Sequence, residues 1–218
     1  METPFVIDQV LPMGVTLIHA RPTGRMSWMS LAMAYAVASG GNALGRFPAQ
    51  HGEVLYMSIH EDAVQLRARL KALFPNEPRH RGVRFSFNWP LVGAGFEGAL
   101  RDYLAARPCT RLVVIDELND LLPGPLDYDA MCVFSNTLGR LCYEFHIALV
   151  LLQTTFITKD TFFGSSGTMG ITSGCEAIAH LRSNLRDSNR AELLITSRSR
   201  EDTDLPLYWN EARKEWLS

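Results

Sequence analysis

Two runs of apolar residues constrain this chain more tightly than anything else in it. Leu112-Val113-Val114-Ile115, which follows Arg111, is apolar throughout and ends in the carboxylate of Asp116, and Ile147-Ala148-Leu149-Val150-Leu151-Leu152-Gln153 ends in an amide. Successive side chains of a strand point to opposite faces, so a strand can be uniformly apolar only where both faces are covered. That is the condition of a parallel sheet with helices on each side. The rest of the chain supplies the alternation such a sheet needs. Strands are expected over 15–19, 54–59 and 83–87, and helices over 28–38, 63–74, 95–106 and 129–145. Gly40-Gly41 ends the first helix and Pro75 stops the second.

Residues 154–173 are rich in Gly, Ser and Thr without an apolar period, which reads as a mobile loop. Short strands follow at 177–181, 191–196 and 205–209, the last two joined by the charged turn Ser199-Arg200-Glu201-Asp202 as an antiparallel hairpin. The expected fold class is α/β: a mostly parallel sheet with helices on both faces, closed by a C-terminal antiparallel hairpin, in one domain over 1–218.

Composition removes several alternatives. At 218 residues with 47% hydrophobic and 20% charged, the chain has the make-up of an ordinary globular protein, and a net charge of −2 announces no nucleic acid in bulk. Cys109, Cys132, Cys142 and Cys175 lack paired metal-ligand spacing, so reduced thiols in a cytoplasmic protein are expected rather than zinc or disulfides. No apolar run approaches the ~20 residues of a membrane span, and no signal core is expected.

Ligands of open α/β sheets bind beyond the carboxyl ends of the strands, which directs attention to the turn after the first core strand. A phosphate-binding loop of the form G-x-x-x-x-G-K-[ST] uses backbone N–H groups, a lysine for the β/γ charge and a hydroxyl for magnesium. The corresponding stretch is Ala20-Arg21-Pro22-Thr23-Gly24-Arg25-Met26-Ser27. Without a gap, Arg25 stands for the second glycine, Met26 for the lysine and Ser27 for the hydroxyl. A one-residue deletion instead aligns Gly24-Arg25 with the Gly-Lys pair and keeps a cation, on a shortened loop. The only lysines are Lys71, Lys159 and Lys214, none of them in this turn.

Read together, the segments resemble the RecA-like hexameric helicase branch, namely the plasmid RepA-type ATPases of the AAA_25 group and, more distantly, the DnaB-type helicases. The resemblance rests on the entry Leu11-Pro12-Met13-Gly14-Val15, on Ala20-Arg21-Pro22, on Gly40-Gly41-Asn42-Ala43-Leu44-Gly45, and on Gly52-Glu53-Val54-Leu55-Tyr56-Met57. It implies a catalytic base at the end of the second strand, where His60-Glu61-Asp62 stands and Glu61 serves only if the strand end shifts by one residue. It implies a magnesium-holding aspartate at Asp116, with Ser27 as the companion metal ligand, and a γ-phosphate sensor at Gln153. Arg21, Thr23, Gly24, Arg25, Met26 and Ser27 would form the nucleotide loop. Ser165-Ser166-Gly167 would face a central channel, and Arg198 and Arg200 would reach a neighbouring subunit's nucleotide.

The catalytic letters depart from that pattern. Losing the loop lysine and the base removes two preorganised contributions of about 3–4 kcal/mol each. The expectation is therefore a pseudo-ATPase that needs no cofactor, a scaffold or partner-binding subunit in a DNA-related or mobile-element process. ATP and Mg enter only if the loop is competent, which is the second reading: an active helicase or ATPase using Arg25, Ser27, Glu61 and Asp116. A third is a nucleotide-independent nucleic-acid module, with Arg67, Arg69, Arg79, Arg81 and Arg84 beside Phe85, Phe87 and Trp89. Self-association or a protein complex is expected, with DNA or RNA as a further partner class and no membrane.

Overall fold

The computed structural model describes residues 4–22, 25–75, 82–155 and 170–218. In chain order its elements are β1 (Phe5–Ile7), β2 (Leu11–Pro12), β3 (Gly14–Ala20), α1 (Met26–Ser39), β4 (Asn42–Ala43), β5 (Phe47–Pro48), β6 (Glu53–Ser58), α2 (Ala63–Leu73) and β7 (Val83–Ser86). There follow α3 (Phe96–Ala105), β8 (Thr110–Asp116), a short 3-10 turn at Leu118–Leu121, α4 (Tyr128–Phe145), β9 (Ala148–Thr154), a second 3-10 turn at Thr172–Gly174, β10 (Cys175–Ser183), β11 (Arg190–Ser197), β12 (Thr203–Asn210) and β13 (Glu215–Leu217).

Nine of these strands form one sheet in the order β13-β12-β11-β10-β3-β9-β8-β6-β7. From β10 to β7 every neighbour is parallel, and β10 through β13 pair antiparallel. This is a RecA-like core extended by an antiparallel C-terminal edge. The mostly parallel sheet and the closing hairpin expected from the sequence are both present. The first helix starts at Met26, two residues earlier than the apolar pattern suggested, and the short pairs β1–β2 and β4–β5 carried no readable signal.

The two uniformly apolar strands divide their side chains between two cores. Leu112, Val114, Ala148, Val150 and Leu152 join one cluster with α1 and α2, including Met29, Leu31 and Leu66. Val113, Ile115, Leu149 and Leu151 join the other, with Phe96 and Leu100 of α3 and Phe134 and Leu138 of α4. Helix α1 is apolar nearly all round, with ten of its 14 residues buried, as a helix enclosed on every side must be. Its end is set by Gly40 in the left-handed conformation, whose N–H reaches back to Val37 O. Helix α2 begins in a capping box: Asp62 accepts from the N–H groups of Val64 and Gln65, and the Gln65 side chain accepts from Asp62 N–H.

Of the expected 154–173 loop, Thr154 ends β9 and Thr172–Gly174 forms a 3-10 turn, while 156–169 lies outside the described residues. That turn presses its backbone onto α4. A Cβ added at Gly174 would lie 2.2 Å from the Ser135 carbonyl carbon and 2.3 Å from its oxygen. Backbone cannot yield as a flexible side chain can, so G174A should lower stability by about 1–3 kcal/mol, read as a reduced urea midpoint. A variant with an unchanged midpoint would show that this contact is not tight.

Candidate functional site

The carboxyl ends of β3, β6, β8 and β9 bring Ala20, Ser58, Asp116 and Thr154 to one edge of the sheet, where α1 begins. Asp116 is buried at 5% exposure, and a carboxylate there needs hydrogen bonds to remain folded in. It has them. The Ser27 hydroxyl donates to Oδ1 at 3.1 Å and the Tyr56 hydroxyl to Oδ2 at 2.7 Å. Ser30 Oγ stands 2.8 Å from Tyr56 Oη, extending the network into α1. Ser27, rather than Met26, is thus the residue of the loop that meets Asp116.

Burial lifts the Asp116 carboxyl above its ordinary value of 3.8, opposed by the hydrogen bonds from Tyr56 and Ser27. Glu61 is lifted as well, first by burial and in part by the charge of Asp116, with Arg69 acting in the opposite direction. Glu61 is held in an ion pair by Arg69 of α2, the two side chains 15% and 16% exposed. Arg69 meets Oε1 alone, and Oε2 is buried without a hydrogen-bond partner. Of its neighbours in the sequence, His60 is exposed and meets Asp120 at 2.9 Å, and Asp62 is committed to capping α2.

The loop cation is engaged elsewhere. Arg25 is the residue just before α1, in the left-handed conformation with φ 53. Its guanidinium lies 4.2 Å from the Trp209 ring centroid and 5.8 Å from that of Trp216, and it donates to Ser188 O at 2.9 Å. Trp28 meets Trp209 edge-on at 5.9 Å, and Arg69 lies over Trp28 at 5.4 Å. A run of cations and rings, Arg25–Trp209–Trp28–Arg69, therefore leads from the loop to Glu61. Met26 is buried at 7% exposure within the α1 core. Arg21 is exposed at the start of the turn, and Thr23 and Gly24 lie outside the described residues.

Gln153 is buried at 7% exposure and donates through Nε2 to Asn119 Oδ1 at 3.4 Å. Asn119 in turn donates to Glu117 Oε1, which fixes both amide orientations and leaves Gln153 Oε1 buried without a hydrogen-bond partner. Glu117 also accepts from the N–H and hydroxyl of Thr154, each at 2.7 Å, tying β8 to β9. The sequence reading did not assign Glu117, Tyr56 or the Trp209/Trp216 pair to this site, and gave Arg69 only to a nucleic-acid surface. The adjacent carboxylates Asp116-Glu117 were a visible signal. The contacts of Arg69 and the tryptophans depend on tertiary packing and had none.

Arg198 and Arg200 sit at the other end of the sheet, in the turn joining β11 to β12 beside the amino ends of the parallel strands. Arg198 donates to Ser173 O at 2.5 Å, and Arg200 lies 4.5 Å from the Phe5 ring centroid. They do not join their own chain's site. The arginine-aromatic set near β7 is brought together only in part: Arg67, Phe85 and Phe87 line one cavity of about 320 Å³, whereas Arg69 is paired with Glu61, Arg84 meets Glu53 at 3.5 Å, and Trp89 packs on Phe96. Arg79, Arg81, Lys159 and 165–167 lie outside the described residues.

The sequence profile of the AAA_25 family, an AAA domain, matches residues 3–153. The chain belongs to the AAA_25 family. That assignment gives the molecule an ATPase-family fold. No curated protein matches the chain. Tested against a magnesium nucleotide, the residues of this AAA_25 member divide. Ser27 and Asp116 are joined by a direct hydrogen bond, whereas the described part of the loop offers a buried thioether and a guanidinium stacked on Trp209. The described loop residues offer no ammonium for a triphosphate.

The raised carboxyl of Asp116 has a measurable sign. The folded chain keeps this proton to higher pH than the unfolded chain, so raising the pH above 3.8 favours unfolding until the folded carboxyl has also ionised. Urea unfolding of wild type and D116N across the acidic range should show the wild type losing stability relative to the variant as pH rises. A parallel pair of curves would contradict the raised carboxyl.

Proposed function

We propose that this AAA_25 protein does not turn over ATP and acts as a scaffold or partner-binding subunit in a DNA-related process. The observation that carries the proposal is the placement of Arg25. A P-loop needs a compact ammonium free to follow the β- and γ-phosphates. Here the cation nearest that position is hydrogen-bonded to Ser188 O and stacked on Trp209, and Met26 fills the lysine position with an apolar side chain in the core. Withdrawing Arg25 would forfeit a cation–π contact of about 0.5–2 kcal/mol together with its hydrogen bond. Glu61, the alternative base, is ion-paired with Arg69.

Self-association or a protein complex is the assembly this reading favours, with DNA or RNA as a further partner. The second reading, a divergent ATP-dependent helicase or ATPase, draws its support from the Ser27–Asp116 pair and from the free acceptor of Gln153. The two part at the bench. Wild-type protein should show no magnesium-dependent ATP hydrolysis above buffer and no retention of a fluorescent non-hydrolysable ATP analogue. R25G/M26K, which restores a Gly-Lys-Ser triplet and puts glycine where φ is positive, should gain analogue binding. Wild-type turnover that D116A abolishes would establish the second reading instead.

A further inference from the structure

A second concave surface lies on the antiparallel edge of the sheet, away from the Ser27–Asp116 site. Strands β11 and β12 alternate buried and exposed residues, so one face packs on the core and the other meets solvent. At the carboxyl end of β10 the turn into β11 stands beside that open face and encloses a cavity of about 560 Å³. Arg182, Arg186 and Arg190 line it together with Leu185, Pro206 and Tyr208. A smaller cavity of about 210 Å³ lies alongside, sharing Arg182 and Leu185 and lined also by Arg21 and His180. Leu185 is 82% exposed and Tyr208 52%, an unusual outlay of apolar surface among four arginines.

We propose that this surface is a docking site for an acidic protein segment that carries a bulky apolar side chain between its carboxylates. Charge complementarity identifies the occupant. Arg182 is paired with Glu192 and Arg190 with Asp187 at 3.3 Å, all four side chains about half exposed, and exposed pairs of this kind are weak enough to exchange for an incoming carboxylate. Arg186 and Arg21 add charge without a carboxylate partner among the described contacts. A planar guanidinium takes a carboxylate bidentately, and Leu185, Pro206 and Tyr208 supply the apolar anchor that gives such a contact its strength.

The same count argues against a nucleic-acid strand. A phosphate backbone requires a track of uncompensated cations and aromatic platforms for successive bases. Here Tyr208 is the one aromatic side chain of the larger cavity, so there is no series of platforms for successive bases.

The probe is a short fluorescein-labelled peptide with one Phe between runs of Glu and Asp, titrated by anisotropy against the full chain without nucleotide. Binding should weaken with salt, and R186E and L185S should each reduce affinity by about tenfold or more. K71E, at the far end of the sheet, should leave it unchanged. Both tested side chains are exposed, so thermal melts should match wild type, and Y208A provides a third variant should either melt differ. Peptides with Gln and Asn for the acids, or Ser for Phe, should bind weakly. Absence of binding, equal binding by R186E, or capture of an oligothymidylate in place of the peptide would overturn the proposal. ATP turnover by the wild type would defeat the scaffold reading and leave this one standing.

Discussion

The functional reading of this molecule depends on where one guanidinium goes. Arg25 stands between β3 and α1, one residue before Met26, and its guanidinium points onto Trp209. The contact spans more than 180 residues of sequence and fastens the C-terminal edge of the sheet over the start of α1. Trp216 lies 5.3 Å from Trp209 between ring centroids, and Trp28 meets Trp209 from α1, so the tryptophans and the arginine form one packed unit. In a water-filled loop a guanidinium is mobile. Set against indole rings and a carbonyl, it becomes part of the fold.

Asp116 illustrates how a buried strand-end carboxylate is built into the fold. Its carboxylate joins three elements: β8 by the chain itself, β6 through Tyr56, and α1 through Ser27. Removing any one of these groups would leave a buried polar atom unpaired, which costs about 1–3 kcal/mol or more for a charged partner. Structural demand alone is sufficient to hold Ser27 and Asp116 together. The pair alone therefore does not decide between the two functional readings, whereas Arg25 and Met26 weigh toward the first.

The fold was legible because its strongest signals are local. Runs such as Leu112-Val113-Val114-Ile115 announce a doubly covered strand, and Gly40, Pro75 and Asp62 mark helix ends by backbone chemistry that acts within a few residues. The candidate site was legible only as an inventory. Motif order located Ser27, Asp116, Gln153 and Glu61, yet nothing in the spacing of Glu61 and Arg69 stated that α2 would fold them into a pair. The same holds for Arg25 and Trp209, whose meeting requires the whole antiparallel edge. Arg198 and Arg200 were found by resemblance, and the alternating direction of β10, β11 and β12 carries them to the amino end of the sheet.

That alternation gives the C-terminal strands two separate ends with different chemistry. At the amino end, Arg198 and Arg200 are occupied by the Ser173 carbonyl and the Phe5 ring, contacts that brace the second 3-10 turn and β1. At the carboxyl end, Arg25 is drawn inward to Trp209 while Arg182, Arg186 and Arg190 remain outside it. The strands beyond β10 thus both pack over the start of α1 and present basic surface at the same edge. Their inner face is spent on the core and on Arg25, while their outer face is unpacked. Under the scaffold reading proposed above, it is this outer face that would meet a protein partner.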